Sequence, residues 1–246
     1  MTAPSAAAPP GTPRHGLARV ISKMGVASRS QASRWILEGR VRVNGALVLD
    51  PEFSVRQGVD RVEVHGTGAI RAPRLVVMLN KPRGLVTTTS DEQDRDTVYR
   101  CFAGSKLPWI APVGRLDKAS EGLLLFSNDP VWAARVTEPE SGPDKTYHVQ
   151  VNCRADAEFL ERVVRGAFVD GEHLAAKSAR CLRVGTRNAW LEVVLAEGRN
   201  RQIRRLLSAF GVSVLRLVRV AIGPLELGEL KKGEWRILGE PEVASL

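Results

Sequence analysis

The stretch that decides the fold is Pro112-Val113-Gly114-Arg115-Leu116-Asp117-Lys118-Ala119-Ser120-Glu121-Gly122-Leu123-Leu124-Leu125-Phe126. Its apolar end, Leu123 to Phe126, reads as a buried strand, because an unbroken apolar run leaves no face for water. A polar turn bounded by Gly114 and Gly122 precedes it. Upstream, Leu107 to Val113 is expected to supply a second strand. Asp117 therefore stands on a short loop between two rigid segments, with Arg115 and Lys118 beside it. A carboxylate flanked by cations near a core tends to stay ionised, which suits a nucleophile or a general base. Taken alone, the stretch favours an ordinary turn aspartate bonding to nearby backbone. The rest of the chain decides between the two.

The chain has 246 residues, 43% of them hydrophobic, enough for one large domain or a large and a small one. A net charge of +9 and a pI of about 10.0 point to a polyanionic partner, nucleic acid first, rather than to an idle basic surface. Cys101, Cys153 and Cys181 are far apart and odd in number, which argues against a disulfide framework and fits a reducing cytosol. There is no CxxC pair and the histidines are scattered, so no metal site is expected. No apolar run is long enough for a membrane span. Residues 1–14, rich in Ala and Pro, lack the apolar segment of a secretory signal and are expected to form a disordered tail.

From Leu17 the spacing turns helical: Leu17, Val20, Ile21 and Met24 share a face, and Gly25 closes the turn. A second helix starts near Ser28 or Ser30 and is expected to bury Ala32, Trp35, Ile36 and Leu37 before Gly39. Val41-Arg42-Val43-Asn44-Gly45 alternates like a strand into an Asn-Gly turn, and Val55, Val59, Val62 and Val64 supply further short strands. Arg19, Lys23, Arg29, Arg34, Arg40 and Arg42 face the single acid Glu38 over this stretch. So one-signed a surface reads as an RNA-docking module, against the plainer reading of a solvated face.

Beyond residue 68, Leu75 to Leu79 is an apolar strand, broken by a turn over Asn80-Lys81-Pro82-Arg83-Gly84. Thr97 to Phe102 reads as a short helix. Asp129 caps another that opens with Pro130. Lys145 to Val151 alternates with Tyr147, Val149 and Val151 on one face. Ala155 to Val164 is an amphipathic helix, and Leu174 to Val184 and Ala189 to Leu195 are strands. In Glu197-Gly198-Arg199-Asn200-Arg201-Gln202-Ile203-Arg204-Arg205-Leu206-Leu207, residues Ile203, Leu206, Leu207 and Phe210 form a helical stripe, with Arg201, Arg204 and Arg205 beside it. The start of such a helix, with free N–H groups and arginines, suits a phosphate. Val212 to Val220 is a strand with Leu215, Leu217 and Arg219 on one face, and Trp235 to Leu238 is a last strand piece.

Two family resemblances follow from these residues. Gly25-Val26-Ala27-Ser28-Arg29-Ser30-Gln31-Ala32 and Ile36-Leu37-Glu38-Gly39-Arg40-Val41-Arg42-Val43-Asn44-Gly45 resemble the S4 RNA-binding domain over about residues 16–65. From Leu75 on, the chain resembles the pseudouridine synthases, in particular the RsuA-type ribosomal RNA branch. The resemblance rests on Leu79-Asn80-Lys81-Pro82-Arg83-Gly84, Gly114-Arg115-Leu116-Asp117 with Ser120-Glu121-Gly122-Leu123-Leu124, Lys145-Thr146-Tyr147, Glu197 to Leu206, and Val218-Arg219-Val220-Ala221-Ile222-Gly223. The Glu-Gly-Arg-Asn-Arg run looks more like the members acting on large-subunit (23S) RNA than like those acting on 16S RNA.

The resemblance implies an α+β fold: a small S4 domain of two helices and short strands, then a mixed, mostly antiparallel sheet flanked by helices. The expected organisation is a tail over 1–14, the S4 domain over 15–68, a linker over 69–74 and the catalytic domain over 75–246. The implied reaction breaks the uridine N1–C1′ bond, turns the uracil and rejoins it through C5, with no cofactor. By resemblance Asp117 is the essential carboxylate, acting first on the sugar carbon or on a sugar proton. Tyr147 stacks on the uracil and is a candidate acid/base. Arg204 pairs with Asp117. Leu217 lines the base pocket, and Arg115, Lys81, Arg199 and Arg201 hold the substrate. Arg19, Lys23, Arg29, Arg34 and Arg40 are the expected RNA contacts of the S4 domain. The expected partner is ribosomal RNA, free or in a particle, met by a cytoplasmic monomer with no membrane association. A protein that only binds RNA or assists ribosome assembly is the other reading; an intact Asp117, Tyr147 and Arg204 speak for catalysis. A glycosidase using Asp117 and Glu121 is disfavoured by their unassured spacing and by the high pI.

Overall fold

A computed structural model of the protein describes residues 13–56, 59–65, 73–88, 95–139 and 141–246. The expected tail up to residue 12 and the expected linker residues 69–72 lie outside the described residues. The chain divides into two compact units: one holds residues up to Arg74 with the short segments Lys106–Ala111 and Asn128–Pro130, the other Leu75–Ser105, Pro112–Ser127 and Val131–Leu246.

The first unit carries β1 (Arg14–Gly16), α1 (Leu17–Lys23), α2 (Arg29–Leu37), β2 (Val41–Val43), β3 (Ala46–Leu47), β4 (Ser54–Arg56) and β5 (Val62–Val64). Helix α2 begins where Ser28 Oγ accepts the Gln31 N–H at 3.1 Å. Leu17, Ile21, Ala32 and Ile36 pack with Val41, Val43, Val55 and Val62 in one small core. Three expectations need correction. Arg14 belongs to β1, opposite Arg56 of β4, so strand pairing already holds the end of the stretch expected to be a tail. Leu37 is 65% exposed, because the buried stripe of α2 runs through Ala32 and Ile36 and turns away from its last residue. Val59 lies between β4 and β5 and joins neither.

The remaining elements are β6 (Val76–Lys81), a 3-10 turn over Val98–Phe102, β7 (Ala111–Val113), β8 (Glu121–Ser127), α3 (Pro130–Thr137), β9 (Lys145–Val151), α4 (Ala157–Arg165), β10 (Ala167–Val169), β11 (Glu172–Leu174), β12 (Ser178–Val184), β13 (Ala189–Leu195), α5 (Gln202–Ala209), β14 (Val214–Ile222), β15 (Leu225–Glu226), β16 (Trp235–Ile237) and α6 (Glu240–Ala244). They build a sheet of order β12-β13-β9-β14-β8-β6-β16, with β7 beside β8 and β15 beside β14. The β14–β8 pair is parallel, while β12–β13, β13–β9, β9–β14, β8–β6 and β6–β16 are antiparallel. The fold is the expected α+β one, a mixed and mostly antiparallel sheet flanked by helices. Every residue of β8 is buried. Leu123 and Leu125 pack with Val76, Met78, Trp132 and Val243, and Phe126, of opposite parity, meets Phe102 edge-on at 4.8 Å.

Here too the boundaries move. Strand β6 does not turn at Asn80. It continues through Lys81, because Asn80 and Lys81 pair with Leu123 and Gly122 of β8. Asn80 is further fixed by Nδ2 to the Leu230 carbonyl at 2.6 Å and by its N–H to the Glu234 carbonyl at 3.0 Å. Only Ala111–Val113 of the expected 107–113 strand is extended. The expected strand from Leu174 is two: Leu174 closes the β10–β11 hairpin and a new strand starts at Ser178. Leu215 is 42% exposed while Leu217 is 7% exposed, since a register shift between Val214 and Arg216 breaks the expected alternation.

Candidate active site

The loop Gly114–Ser120 joins β7 to β8, and its backbone is held carbonyl by carbonyl. Thr87 Oγ1 donates to the Leu116 carbonyl at 2.8 Å. The Ser120 N–H donates to the Asp117 carbonyl at 2.9 Å and the Gly84 N–H to the Lys118 carbonyl at 2.8 Å. Arg204 Nη2 donates to the Ala119 carbonyl at 3.2 Å. Lys81 Nζ donates to the carbonyls of Ser120, Pro82 and Asp117 at 2.9, 3.1 and 3.2 Å. A loop whose carbonyls are bonded this way offers its side chains in fixed positions. Behind it, Gly122 has φ 100°, and a Cβ there would sit 2.2 Å from the Arg219 carbonyl oxygen. Only glycine lets β8 and β14 approach so closely.

The loop forms one wall of a cleft of about 830 Å³. Asp117, Arg115, Tyr147, Leu217, Arg199 and Arg201 all line it. Tyr147 and Leu217 are buried, 8% and 7% exposed, on neighbouring strands β9 and β14. Arg201 Nη1 lies 3.5 Å from Asp117 Oδ2. Arg201 precedes helix α5 in a left-handed conformation, φ 49°, which costs a non-glycine residue about 1–2 kcal/mol. That strain stands where the guanidinium meets the carboxylate. Arg199 is also tied down, its Nε to Glu197 Oε2 at 2.9 Å and its Nη1 to the His173 carbonyl at 3.2 Å.

Two expected site residues sit elsewhere. Among the described residues, the ion pair of Asp117 is made by Arg201, not by Arg204. The Arg204 guanidinium donates instead to the carbonyls of Ala119 and Val214, the latter at 3.3 Å, while its Nε is buried with no hydrogen-bond partner. Burial and the like charge of Arg201 push Arg204 below the usual arginine range while Asp117 pulls it back, so the two are coupled through the field alone. Lys81 is fully buried and is not among the lining residues. Burial lowers its ammonium to about 8, with Asp117 acting the other way. It is a bolt under the loop, not a surface for substrate.

The basic residues expected to dock RNA in the first unit are on its helices or just after them. Arg19, Arg29 and Arg34 are exposed. Lys23 Nζ lies 3.1 Å from His15 Nε2. Arg40 stacks over Trp35 at 5.1 Å and donates to the His65 carbonyl at 3.2 Å, so part of its guanidinium serves the fold.

Gln202, Lys145 and Arg219 were given no role by the sequence reading, and Glu121 was weighed only as a glycosidase acid. Buried Gln202 accepts from the Arg199 N–H at 3.1 Å and donates to the Ala175 carbonyl at 3.1 Å, shaping the turn that carries Arg199 and Arg201. Buried Glu121 takes a bidentate bond from Arg216, both contacts 3.0 Å, and one from Lys232 at 2.5 Å. Burial works against its charge, but the bonds from those two cations outweigh it and hold its carboxyl below the usual range. Lys145 and Arg219 are buried and line the cleft. Their parity with Tyr147 and Leu217 was the signal available for them. No group of three His, Cys, Asp or Glu among the described residues is placed to hold a metal ion, and no described helix is long and apolar enough to cross a membrane.

Known proteins with this sequence pattern cover both units. The family model described as RNA pseudouridylate synthase matches residues 75–209, and that of the S4 domain matches residues 16–60. An uncharacterized RNA pseudouridine synthase of Aquifex aeolicus is 37% identical over 93% of this chain and 92% of its own. The ribosomal large subunit pseudouridine synthase B of Bacillus subtilis is 35% identical over 94% of each. A crystal structure of a pseudouridylate synthase superposes with a TM-score of 0.65 at 28% identity, over 94% of this chain and 99% of the other.

Proposed function

The chain belongs to the RNA pseudouridylate synthase family, whose members are isomerases, and on that premise we propose that it converts one uridine of ribosomal RNA to pseudouridine. The large-subunit RNA is the favoured substrate, since a relative named for that activity aligns over nearly the whole chain. The enzyme works as a cytoplasmic monomer, on RNA free or within an assembling particle.

One observation carries the assignment of roles: Asp117 and Tyr147 open into the same cleft, with Arg201 on the carboxylate. Asp117 is the essential carboxylate. It acts on C1′ as nucleophile or on the sugar proton as base; either route needs a fixed charge beside the sugar. The N1–C1′ bond breaks, the uracil turns in the cleft, and a C5–C1′ bond forms. The proton on C5 is lost and N1 regains one, so the reaction balances without a cofactor. Tyr147 offers its ring to the uracil face and its hydroxyl to the proton transfer. Leu217 packs against the base, and Arg201 takes the orienting part expected of Arg204. Arg115 and Arg199 hold the strand. Extracting the uridine from its stack costs a few kcal/mol. Phosphate contacts along the basic surface offset that cost, with Arg19, Lys23, Arg29, Arg34 and Arg40 supplying those of the S4 domain.

The experiment is tritium release from ribosomal RNA labelled at uridine C5, with Asp117→Asn beside the wild type. Release by the wild type alone is the expected outcome. RNA binding without release by the wild type, from either subunit's RNA, would place the protein among RNA-binding assembly factors.

A further inference from the structure

Lys145 and Arg219 are two buried cations that the reaction scheme leaves unused. Lys145 is 9% exposed and Arg219 6% exposed, and both line the cleft that holds Asp117. They sit on adjacent strands: Arg219 is paired with Tyr147, and Lys145 lies two residues before that tyrosine with the same parity. Arg219 Nε donates to the Leu123 carbonyl at 2.7 Å, but its Nη2 is buried with no hydrogen-bond partner. Lys145 makes no ion pair or hydrogen bond with any described side chain. The neighbouring acid, Asp144, is engaged by Lys177 at 2.7 Å. Burial and the charge of Arg219 both push the Lys145 ammonium below its ordinary range, and Asp144 only partly restores it.

Two like charges brought together out of water, one with an unmet donor, are costly in the free protein. The cost is recovered when an anion enters between them. A uracil carbonyl is too weakly charged to offset two cations; a phosphodiester carries a full negative charge and several acceptor oxygens. We propose that Lys145 and Arg219 form a phosphate subsite on the cleft floor, which grips the RNA backbone beside the extruded uridine. The inference rests on the cleft being the uridine site, and it adds a device for keeping the nucleotide out of its stack. The unpaired charges of the free enzyme find their partner only when the strand has entered.

The test removes the charge at Lys145 and reads salt dependence. Filter binding of ribosomal RNA is measured across chloride concentrations in an Asp117→Asn background, with and without Lys145→Gln. Each phosphate that the protein neutralises adds about 0.7–0.9 to the steepness of log affinity against log salt. The expected result is a slope shallower by that amount with Lys145→Gln, and its recovery with Lys145→Arg. In the active enzyme, Lys145→Gln raises the half-saturating RNA concentration about tenfold while kcat changes less than about twofold. An unchanged slope and an unchanged half-saturation overturn the subsite. Should glutamine unfold the chain, Lys145→Met, whose apolar stem suits the buried position, takes its place. A second reading uses inorganic phosphate: at equal ionic strength it raises the melting temperature of the wild type over chloride, and Lys145→Met abolishes that gain. A gain that persists in the variant also overturns the subsite. Because the binding arm needs no turnover, it stands apart from the tritium assay that tests Asp117.

Discussion

Lys81 Nζ bonds the backbone carbonyl of Asp117 at 3.2 Å from beneath the loop, so a buried lysine fixes the residue whose side chain faces the cleft. Lys81→Met removes three carbonyl bonds at once, at a cost of about 2–4 kcal/mol, and lets the loop drift. Tritium release falls far more than RNA binding. The pH dependence has a definite sign. The folded ammonium titrates at about 8 against an ordinary 10.5. Between those values the unfolded chain holds a proton that the folded chain has released, so stability rises with pH across the window and is flat below it. Urea midpoints of the wild type minus those of Lys81→Met, taken from about pH 7 to 10.5, check this.

Arg201 and Arg204 separate by what they hold. Arg201→Gly relieves the left-handed backbone, so stability is unchanged or gains about 1 kcal/mol, while kcat drops about 10²-fold with the carboxylate's partner gone. Arg204→Ala leaves the Ala119 and Val214 carbonyls unbonded and costs about 2 kcal/mol of stability. Denaturant midpoints and single-turnover rates on the two variants read the contrast.

Gly122→Ala strains a φ of 100° and drives a methyl to 2.2 Å from the Arg219 oxygen. The three nearest atoms all belong to the Arg219 backbone, which has no side-chain freedom to give way. The loss exceeds about 3 kcal/mol, and the variant accumulates as unfolded or aggregated chain. Circular dichroism and a urea titration suffice to show it.

The acid limb of stability has a local source in the C-terminal helix. Arg236 and the Gly239 N–H hold Glu242 down to about 2, against an ordinary 4.5. A depressed carboxyl contributes stability that is fully present above the unfolded value and fades as pH falls from about 4.5 to about 2. Glu242→Gln flattens that part of the curve, and thermal melts between pH 5 and about 2 would reveal it.

The readable part of the chain was the part with strong local grammar. Ser28 as a cap, the alternation of Lys145 to Val151 and the apolar run after Gly122 each impose their element through nearest neighbours. The candidate site was readable as a set of residues, because Asp117, Tyr147, Leu217 and the arginines stand in recognisable runs. Which arginine meets the carboxylate was not, because it depends on the left-handed backbone of Arg201, and no propensity favours that conformation in an arginine. Lys81 was expected to hold substrate by family resemblance, which says nothing of how deeply the residue lies. Only the pairing of β6 with β8 turns it inward. The bulge between Val214 and Arg216 separated Leu215 from the face of Leu217 and Arg219 for the same reason: a register shift is a property of two strands, not one.

The partners of Asn80 and Glu121 come from the far end of the chain: Leu230 and Glu234 for the first, Lys232 for the second. On the ribosome, Asp117 emerges long before these residues are made. A nascent chain therefore has Lys81, Gly84 and Thr87 ready to hold the loop but lacks Arg204 and Arg201, and β8 waits for both β14 and the return segment that binds β6. Loss of residues 230–234 would strip Asn80 of its Leu230 and Glu234 partners and Glu121 of Lys232 while leaving every sequence motif of the site in the chain.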